Sequence, residues 1–260
     1  MQAQDKNIRP FIFISNDDGY NFPGINALIE VAMEFGDVLV AAPLNHQSGK
    51  ASSISVTDPL RAFLMEDREG LKVYAVNGTP ADCAKLGLGV LTEGRKVDLV
   101  LAGVNHGMNY GNSVIYSGTM GIVFEGVMAG YNSVAFSYDD YSPKATFERC
   151  VPVMRHIIAR VLERGLPADV CLNVNIPAVD FKGIKITTTA PGVWTNTWDH
   201  RVDTHGMDYY WMLGSYEEVN PDDEHTDTYW LRQGWVSVTP VHIDQTDFQS
   251  MKAVDELINS

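Results

Sequence analysis

The amino-acid sequence predicts an α/β fold, a doubly wound (Rossmann-like), mostly parallel sheet with a hairpin-rich C-terminal extension. Two observations lead to this prediction. In the first half of the chain, strand patterns alternate with amphipathic helix patterns, and several strands are apolar on both faces, as buried parallel strands are. After residue 177, short strand patterns follow one another between turn signals such as Asn220-Pro221-Asp222-Asp223.

The first half contains five strand patterns and four helix patterns. The strands are expected at Phe11–Ser15, Val38–Ala42, Lys72–Val76, Val97–Ala102 and Ser133–Ser137. The helices are expected at Gly24–Phe35, Pro80–Leu91, Gly118–Ala129 and near Lys144–Arg164. The start at Pro80 is well defined, because Thr79 offers an N-cap hydroxyl and Asp82 a carboxylate in the first turn.

The C-terminal part is expected to be rich in hairpins. Its strand patterns lie at Lys185–Thr189, Tyr209–Leu213, Thr228–Leu231 and Trp235–Thr239, and a last helix is expected at Asp247–Ile258 with Asp247 as its cap. We therefore divide the chain into an α/β core of residues 1–177, which carries the candidate site, and a portion of residues 178–260 expected to mediate oligomerisation. Two subdomains that share one core would give the same pattern.

Composition narrows the class of protein. With 260 residues, 45% hydrophobic and 20% charged, the chain is typical of a folded soluble protein. Its net charge of −14 disfavours binding to nucleic-acid polymers and to anionic membrane surfaces. No stretch is long and apolar enough for a membrane span or a secretory signal. Cys83, Cys150 and Cys171 lack metal-binding spacing and are expected to be reduced core thiols in a cytoplasmic protein.

The first strand ends on an unusual acidic turn, Asn16-Asp17-Asp18-Gly19. In an open α/β sheet, ligands bind beyond the carboxyl ends of the strands. Two adjacent like charges at such a point repel each other, so a divalent cation is a natural neutralising partner. The same motif also fits an Asx turn in which glycine supplies a positive φ, and on this motif alone both interpretations stay open.

Three further loops carry polar side chains after strands. Ser48 lies in the loop after the second strand, and Asn105 and Asn109 lie in the glycine-rich stretch Gly103–Asn112. Tyr116-Ser117-Gly118-Thr119 opens a helix, where hydroxyls and free N–H groups suit a phosphate or simply cap the helix. Oxygen ligands favour Mg²⁺ or Mn²⁺ over zinc, and such a shell would be formed by Asp17, Asp18, Ser48 and Asn105.

The motifs, taken together and in this order, closely resemble the SurE (survival protein E) nucleotidase family. The resemblance rests on Asn16–Gly19, Ala42-Pro43 with Gln47-Ser48-Gly49, Asn77–Cys83, Gly103-Val104-Asn105 with Gly107–Asn109, Tyr116–Thr119, Asn173–Pro177 and Gly234–Pro240. There are two departures from the family pattern. Ala102 stands where the family usually has Ser, and the stretch Trp194–Thr226 matches weakly, which bears on specificity and assembly.

The resemblance implies a metal-dependent phosphatase acting on nucleoside 5′- and 3′-monophosphates. It implies Mg²⁺ or Mn²⁺ bound by Asp17, Asp18, Ser48 and Asn105. The phosphate would be held by Asn16, Asn109, Ser117, Gly118 and Thr119. Asp17 and Asp18 would be the catalytic carboxylates, one of them accepting the proton of the attacking water. It also implies a homodimer or homotetramer that exchanges C-terminal segments.

Two rival functions stay open. Asp17 or Asp18 could act as a nucleophile and form an aspartyl-phosphate, or the chain could be a metal- and nucleotide-binding sensor without turnover. Outside the main motifs, His200 and His205 with Asp199 and Asp203 suggest either a second metal site or, more simply, a solvated polar loop. The aromatic residues of the C-terminal portion fit either base stacking or interface packing; they are Trp194, Trp198, Tyr209, Tyr210 and Trp211.

Overall fold

The computed structural model describes residues 9–142, 144–195 and 197–259. Its strands are β1 (Phe11–Ser15), β2 (Asp37–Pro43), β3 (Ala62–Arg68), β4 (Leu71–Val76), β5 (Leu99–His106), β6 (Ser133–Tyr138), β7 (Val170–Ile176), β8 (Ile184–Ile186), β9 (Gly192–Trp194), β10 (Thr197–Val202), β11 (Asp208–Leu213), β12 (Tyr216–Glu218) and β13 (Val236–His242). Its α-helices are α1 (Pro23–Met33), α2 (Pro80–Leu86), α3 (Gly118–Met128), α4 (Val151–Arg164), α5 (Asp227–Arg232) and α6 (Met251–Asn259).

A nine-stranded sheet forms the centre of the fold, with the strand order β3-β4-β2-β1-β5-β6-β7-β13-β8. All neighbours from β4 to β7 are parallel, whereas β3 and β13 pair antiparallel with β4 and β7. From β1 the chain winds outwards to β2 and β4, and then returns to the other side of β1 as β5. The topological switch point therefore lies between β1 and β5, which confirms the doubly wound fold.

Helices cover both faces of the sheet. The side chains of β1 alternate between two cores: Ile12 and Ile14 pack with α1 and α4, and Phe13 packs with α2 and α3. Val236 and Val238 of β13 belong to the first of these cores. The C-terminal portion thus adds strands to the same sheet and shares the core of residues 1–177.

Most of the predicted elements in the core are confirmed, and their boundaries shift for identifiable reasons. The fourth strand was expected to end at Ala102 but continues as β5 to His106, because a register shift restores its pairing with β6 at Asn105. The last helix of the core was expected near Lys144 but α4 begins at Val151, after a short 3₁₀ turn. Pro152 explains this start, since proline is tolerated in the first turn of a helix.

Most of the wrong predictions fall in the C-terminal portion. Thr228–Leu231, expected as a strand, lies in α5, because the Thr226 side chain caps the N–H of Tyr229 and Asp227 occupies the first turn. Lys185–Thr189 was expected as one strand, but β8 ends at Ile186. Asp247 precedes rather than caps the last helix, which begins at Met251. In the core of residues 1–177, two strands were not predicted: the edge strand β3, six of whose seven residues are exposed, and β7.

Residues 192–195 and 197–218 lie outside the sheet and form a projection that we call the arm. It consists of two small antiparallel sheets, β9 with β12 and β10 with β11. Further towards the C-terminus, none of the residues of helix α6 is buried. Within the residues that the structure describes, every helix is too short or too polar to span a bilayer.

Candidate metal and phosphate site

The turn after β1 is locked by one asparagine. The Asn16 side chain donates from Nδ2 to the carbonyl oxygen of Gly19 at 3.0 Å, and its Oδ1 accepts from the Gly19 N–H at 3.1 Å. Gly19 adopts a φ of 125°, which favours glycine. Asn16, which the sequence suggested as a phosphate ligand, thus uses its amide to hold the backbone that presents Asp17 and Asp18.

Asp17 and Asp18 are two nearly buried carboxylates, each 3% exposed. Asp17 Oδ1 accepts from the Thr119 hydroxyl at 2.7 Å, and Asp18 Oδ2 accepts from the His106 N–H at 3.2 Å. Burial raises the pKa of Asp17 above its ordinary value. Burial, together with the charge of Asp17, raises the pKa of Asp18 to about 7. Without a further positive charge, the pair is therefore electrostatically unfavourable when both groups are ionised.

The donor set fits a hard divalent cation. Within the described residues, the basic side chain recorded beside this pair is the half-exposed His46, whose Nδ1 lies 3.5 Å from Asp18 Oδ1. Among the residues that the structure describes, no three His, Cys, Asp or Glu side chains lie together as a metal-binding group. Two carboxylates supplemented by neutral oxygens are the donors that Mg²⁺ and Mn²⁺ prefer.

Two loops bring neutral oxygens to this turn. The loop that carries Ser48 is tied at both ends, because the Gln47 N–H donates to the Asp17 carbonyl at 2.8 Å and the Ala51 N–H donates to the Tyr116 carbonyl at 3.1 Å. Asn105, 8% exposed at the tip of β5, donates from Nδ2 to the Gly107 carbonyl at 2.8 Å. That bond leaves the Asn105 Oδ1 to act as an acceptor or ligand.

The amino end of α3 abuts Asp17. The Ser117 Oγ accepts from the Met120 N–H at 3.1 Å, which caps the helix and leaves the Ser117 hydroxyl proton available to a ligand. A Cβ at Gly118 would lie 2.9 Å from both Asp17 Cβ and Pro80 Cγ, so only glycine permits this approach. Thr119 is fully buried and directs its hydroxyl at Asp17. Its side chain therefore supports the carboxylate, while the helix end offers N–H groups and a positive dipole end.

Asn109 is fixed by a buried amide network. Its Nδ2 donates to Ser137 Oγ at 2.8 Å, its backbone N–H donates to Asn175 Oδ1 at 2.8 Å, and its carbonyl accepts from Asn173 Nδ2 at 2.6 Å. Two residues further on, the Gly111 N–H donates to Asp227 Oδ2 at 2.9 Å. Strands β6 and β7 and helix α5 therefore hold the glycine-rich loop in place.

One cavity of about 660 Å³ unites five of the sequence-predicted residues, namely Asp17, Ser48, Asn105, Asn109 and Ser117. It is also lined by Met108, Ser113 and Tyr116 and by four residues of the arm, Trp194, Met212, Leu213 and Gly214. Asp18 lies in an adjoining cleft of about 350 Å³ with His106 and Tyr141. The lining residues of the arm were missed, except Trp194, because only tertiary structure brings them to the cavity.

The histidines of the arm lie among exposed polar residues: His205 lies in the turn between β10 and β11, where its N–H donates to Asp203 Oδ1 at 2.8 Å. His200 and Asp199 lie in the β10–β11 hairpin rather than in a loop. His200 Nε2 lies 2.7 Å from Asp208 Oδ1, and Asp199 pairs with Arg201 at 2.6 Å. Both pairs lie at the protein surface. Among the described residues, no group of three or more His, Cys, Asp or Glu side chains could hold a metal ion. Of the aromatic residues considered for base stacking, Trp194 lines the cavity.

Fold and site together define the class of this protein. It is a Rossmann-like α/β protein whose sheet switch point combines carboxylates suited to a hard cation with helix-end donors suited to an anion.

Comparison with known proteins assigns the family. The family model described as survival protein SurE matches residues 12–196, and the chain belongs to this family. A 5′-nucleotidase SurE of Bacteroides thetaiotaomicron is 41% identical over 243 residues, which cover 92% of this chain and 93% of that protein. A 5′-nucleotidase SurE of Bacteroides fragilis is 41% identical over 253 residues, covering 97% and 98%. The crystal structure of the SurE protein from Aquifex aeolicus superposes with a TM-score of 0.82 at 37% identity, covering 95% of this chain and 99% of that one.

Proposed function

We propose that this protein is a divalent-metal-dependent phosphomonoesterase that hydrolyses nucleoside 5′- and 3′-monophosphates to nucleoside and phosphate. The observation that supports it most directly is the pair of buried carboxylates, Asp17 and Asp18, packed against the amino end of α3. The names of the relatives, 5′-nucleotidase SurE, support the same reaction on 5′-monophosphates. Action on 3′-monophosphates rests on the family resemblance alone.

The residues of the candidate site divide into a group that would bind the metal and a group that would bind the phosphate. Asp17 and Asp18, with Ser48 and Asn105, would hold Mg²⁺ or Mn²⁺. The chemistry that the cation supplies when bound is polarisation of a phosphoryl oxygen and a lower pKa for the attacking water. The Ser117 hydroxyl and the N–H groups at the start of α3 would donate to the phosphate oxygens, where negative charge develops in the transition state.

Asn109 and the supporting residues complete the assignment. Asn109 would donate its second amide hydrogen to the phosphate, since the first is held by Ser137. Thr119 and Asn16 would act as positioning residues, because their side chains bond Asp17 and the Gly19 turn. The proton of the attacking water would pass to Asp17 or Asp18, the two carboxylates within reach of the site.

Phosphate release from purified protein tests this function. Nucleoside 5′- and 3′-monophosphates and p-nitrophenyl phosphate should release phosphate with Mg²⁺ or Mn²⁺, and EDTA should abolish the release until the metal is restored. No release with any metal would refute the proposal. Metal-dependent nucleotide binding without release would instead support a sensor.

The aspartyl-phosphate mechanism is distinguished by rapid quench. Under direct attack by water, no phosphorylated carboxylate forms, so an acid quench during turnover should trap no phosphoryl group on Asp17 or Asp18. A trapped phosphoryl group on either aspartate would favour the covalent mechanism.

We also propose that the protein forms a homodimer or homotetramer in which C-terminal segments are exchanged. The support is α6, whose apolar side chains Met251, Val254, Leu257 and Ile258 are each more than half exposed. Such a helix gains stability by packing on another subunit. Truncation before Met251 should lower the mass measured by light scattering, and an unchanged mass would argue against the exchange. A cytoplasmic location remains a prediction from the three buried free thiols.

A further inference from the structure

The candidate site has a second, apolar half. Around the turn of Asp17 the cavity is lined by small polar side chains, whereas its outer wall is built by Tyr116 and by the arm residues Trp194, Met212 and Leu213. These four side chains are between 42% and 69% exposed. A site that bound only a phosphate group would have no use for such a wall, and large aromatic and aliphatic surfaces left open in a cavity mark a binding surface.

Trp194 is held in position relative to the polar half. It pairs with Tyr216 in the β9–β12 sheet, and the two rings meet edge to face with centroids 5.9 Å apart. The Tyr216 hydroxyl accepts from the Asn112 N–H at 2.9 Å and donates to the Ala190 carbonyl at 2.7 Å. Because Asn112 belongs to the loop that carries Asn109, the indole is anchored to the same backbone as the candidate phosphate ligands.

We propose that Trp194 stacks the base of the substrate and makes this protein selective for purine nucleoside monophosphates. This inference rests on the proposed function, which supplies the phosphate end of the substrate. A cavity of about 660 Å³ lies in the range that small-molecule ligands of this size occupy, ~300–1,000 Å³. A bicyclic purine covers more of an indole than a pyrimidine does, so stacking favours purines.

The stacking wall predicts an order of substrates. Adenine and guanine nucleotides should both be bound better than cytosine and uracil nucleotides, because a bicyclic base covers more of the Trp194 indole than a single ring does.

The test compares substrates with and without a base in matched tryptophan variants. Trp194→Ala should raise the KM for adenosine and guanosine monophosphates by roughly 5- to 150-fold, the factor that corresponds to a base–aromatic stack of ~1–3 kcal/mol. The same variant should leave kcat/KM for ribose 5-phosphate unchanged, and Trp194→Phe should recover most of the loss. Trp211→Ala is the control, because Trp211 is an exposed tryptophan of the arm that does not line the cavity.

Binding measurements separate this inference from the proposed function. Adenosine should bind to the metal-free protein in calorimetry, and Trp194→Ala should weaken that binding by a similar factor, whether or not phosphate is released. If Trp194→Ala changed the KM of ribose 5-phosphate as much as that of adenosine monophosphate, or changed neither, the stacking role would be refuted. The phosphatase activity would stand in both cases.

Discussion

The hydrogen bond between Thr119 and Asp17 links the core to the candidate metal site. Thr119→Val replaces the hydroxyl by a methyl group of similar size and removes a 2.7 Å bond to a carboxylate that is 3% exposed. A hydrogen bond to a charged group contributes ~1.5–3 kcal/mol. In the metal-free state Asp17 can be protonated, so the lost hydrogen bond destabilises mainly the metal-bound state, in which Asp17 is ionised. A free-energy loss of this size should raise the Mn²⁺ dissociation constant by roughly 10- to 150-fold.

The direction of the effect follows from the pKa of Asp17. The Thr119 hydroxyl lowers that pKa against the larger effect of burial, so its loss makes Asp17 harder to ionise. Metal binding requires the ionised form. The loss of Mn²⁺ affinity should therefore grow as the pH falls, and turnover at limiting metal should fall in parallel.

Isothermal calorimetry with Mn²⁺ measures this prediction, and two controls make it specific. Thr119→Ser keeps the hydroxyl and should retain most of the affinity. Thr92→Val removes another bond of a buried hydroxyl, from Thr92 to the Leu88 carbonyl at 3.1 Å, beside Phe11 and Asp37 at the amino ends of β1 and β2 and thus at the opposite edge of the sheet from the site. It should lower the melting temperature without changing Mn²⁺ affinity. An unchanged Mn²⁺ affinity in Thr119→Val would refute the reasoning.

Four further predictions concern the carboxylates. Asp18→Asn should reduce kcat by at least ~10³-fold with an unchanged circular dichroism spectrum, since it removes one charge of the candidate metal site; retained activity would remove the metal hypothesis. Because the pKa of Asp18 is raised to about 7, Mn²⁺ binding near pH 6 should release protons, and calorimetry in buffers of different ionisation enthalpy should detect them. Because the folded-state pKa of Asp18 is raised, the metal-free protein should lose stability as the pH rises from 4 through 7, and denaturant titrations at constant ionic strength that showed no such loss would contradict this. Asp227→Ala should destabilise the fold by several kcal/mol, at ~1–3 kcal/mol for each of the N–H groups of Gly111 and Ala190 left unpaired; a melting temperature within a degree of wild type would contradict this.

Much of the core was predictable from sequence because its signals are local. The strand Phe11–Ser15 was predicted with correct bounds, since an apolar run ends abruptly on Asn16 and two acidic residues. The capping box of Thr79 and Asp82 likewise marked the start of α2. The residue types of the candidate site could be selected by the same means, because each follows a strand or opens a helix.

The remaining features depend on contacts between residues that are distant in the chain. Thr119 looked like a phosphate ligand, and only the packing of α3 shows its hydroxyl turned to Asp17. The strand β3 could not be recognised, because an exposed edge strand lacks the apolar pattern of a buried one. Nothing in the sequence around Met212 or Leu213 indicates that they line a cavity together with Asn109, about 100 residues earlier in the chain.

The long-range anchoring of the glycine-rich loop has a consequence for biosynthesis. Asn109 depends on Asn173 and Asn175, and Gly111 depends on Asp227, so the loop is held only when segments up to about 120 residues later have docked. The strand that completes the sheet beside β7 ends at His242. During translation the acidic turn would therefore be exposed early, whereas the pocket would be assembled only after the segment up to His242 has left the ribosome, so shorter nascent chains would lack an assembled pocket.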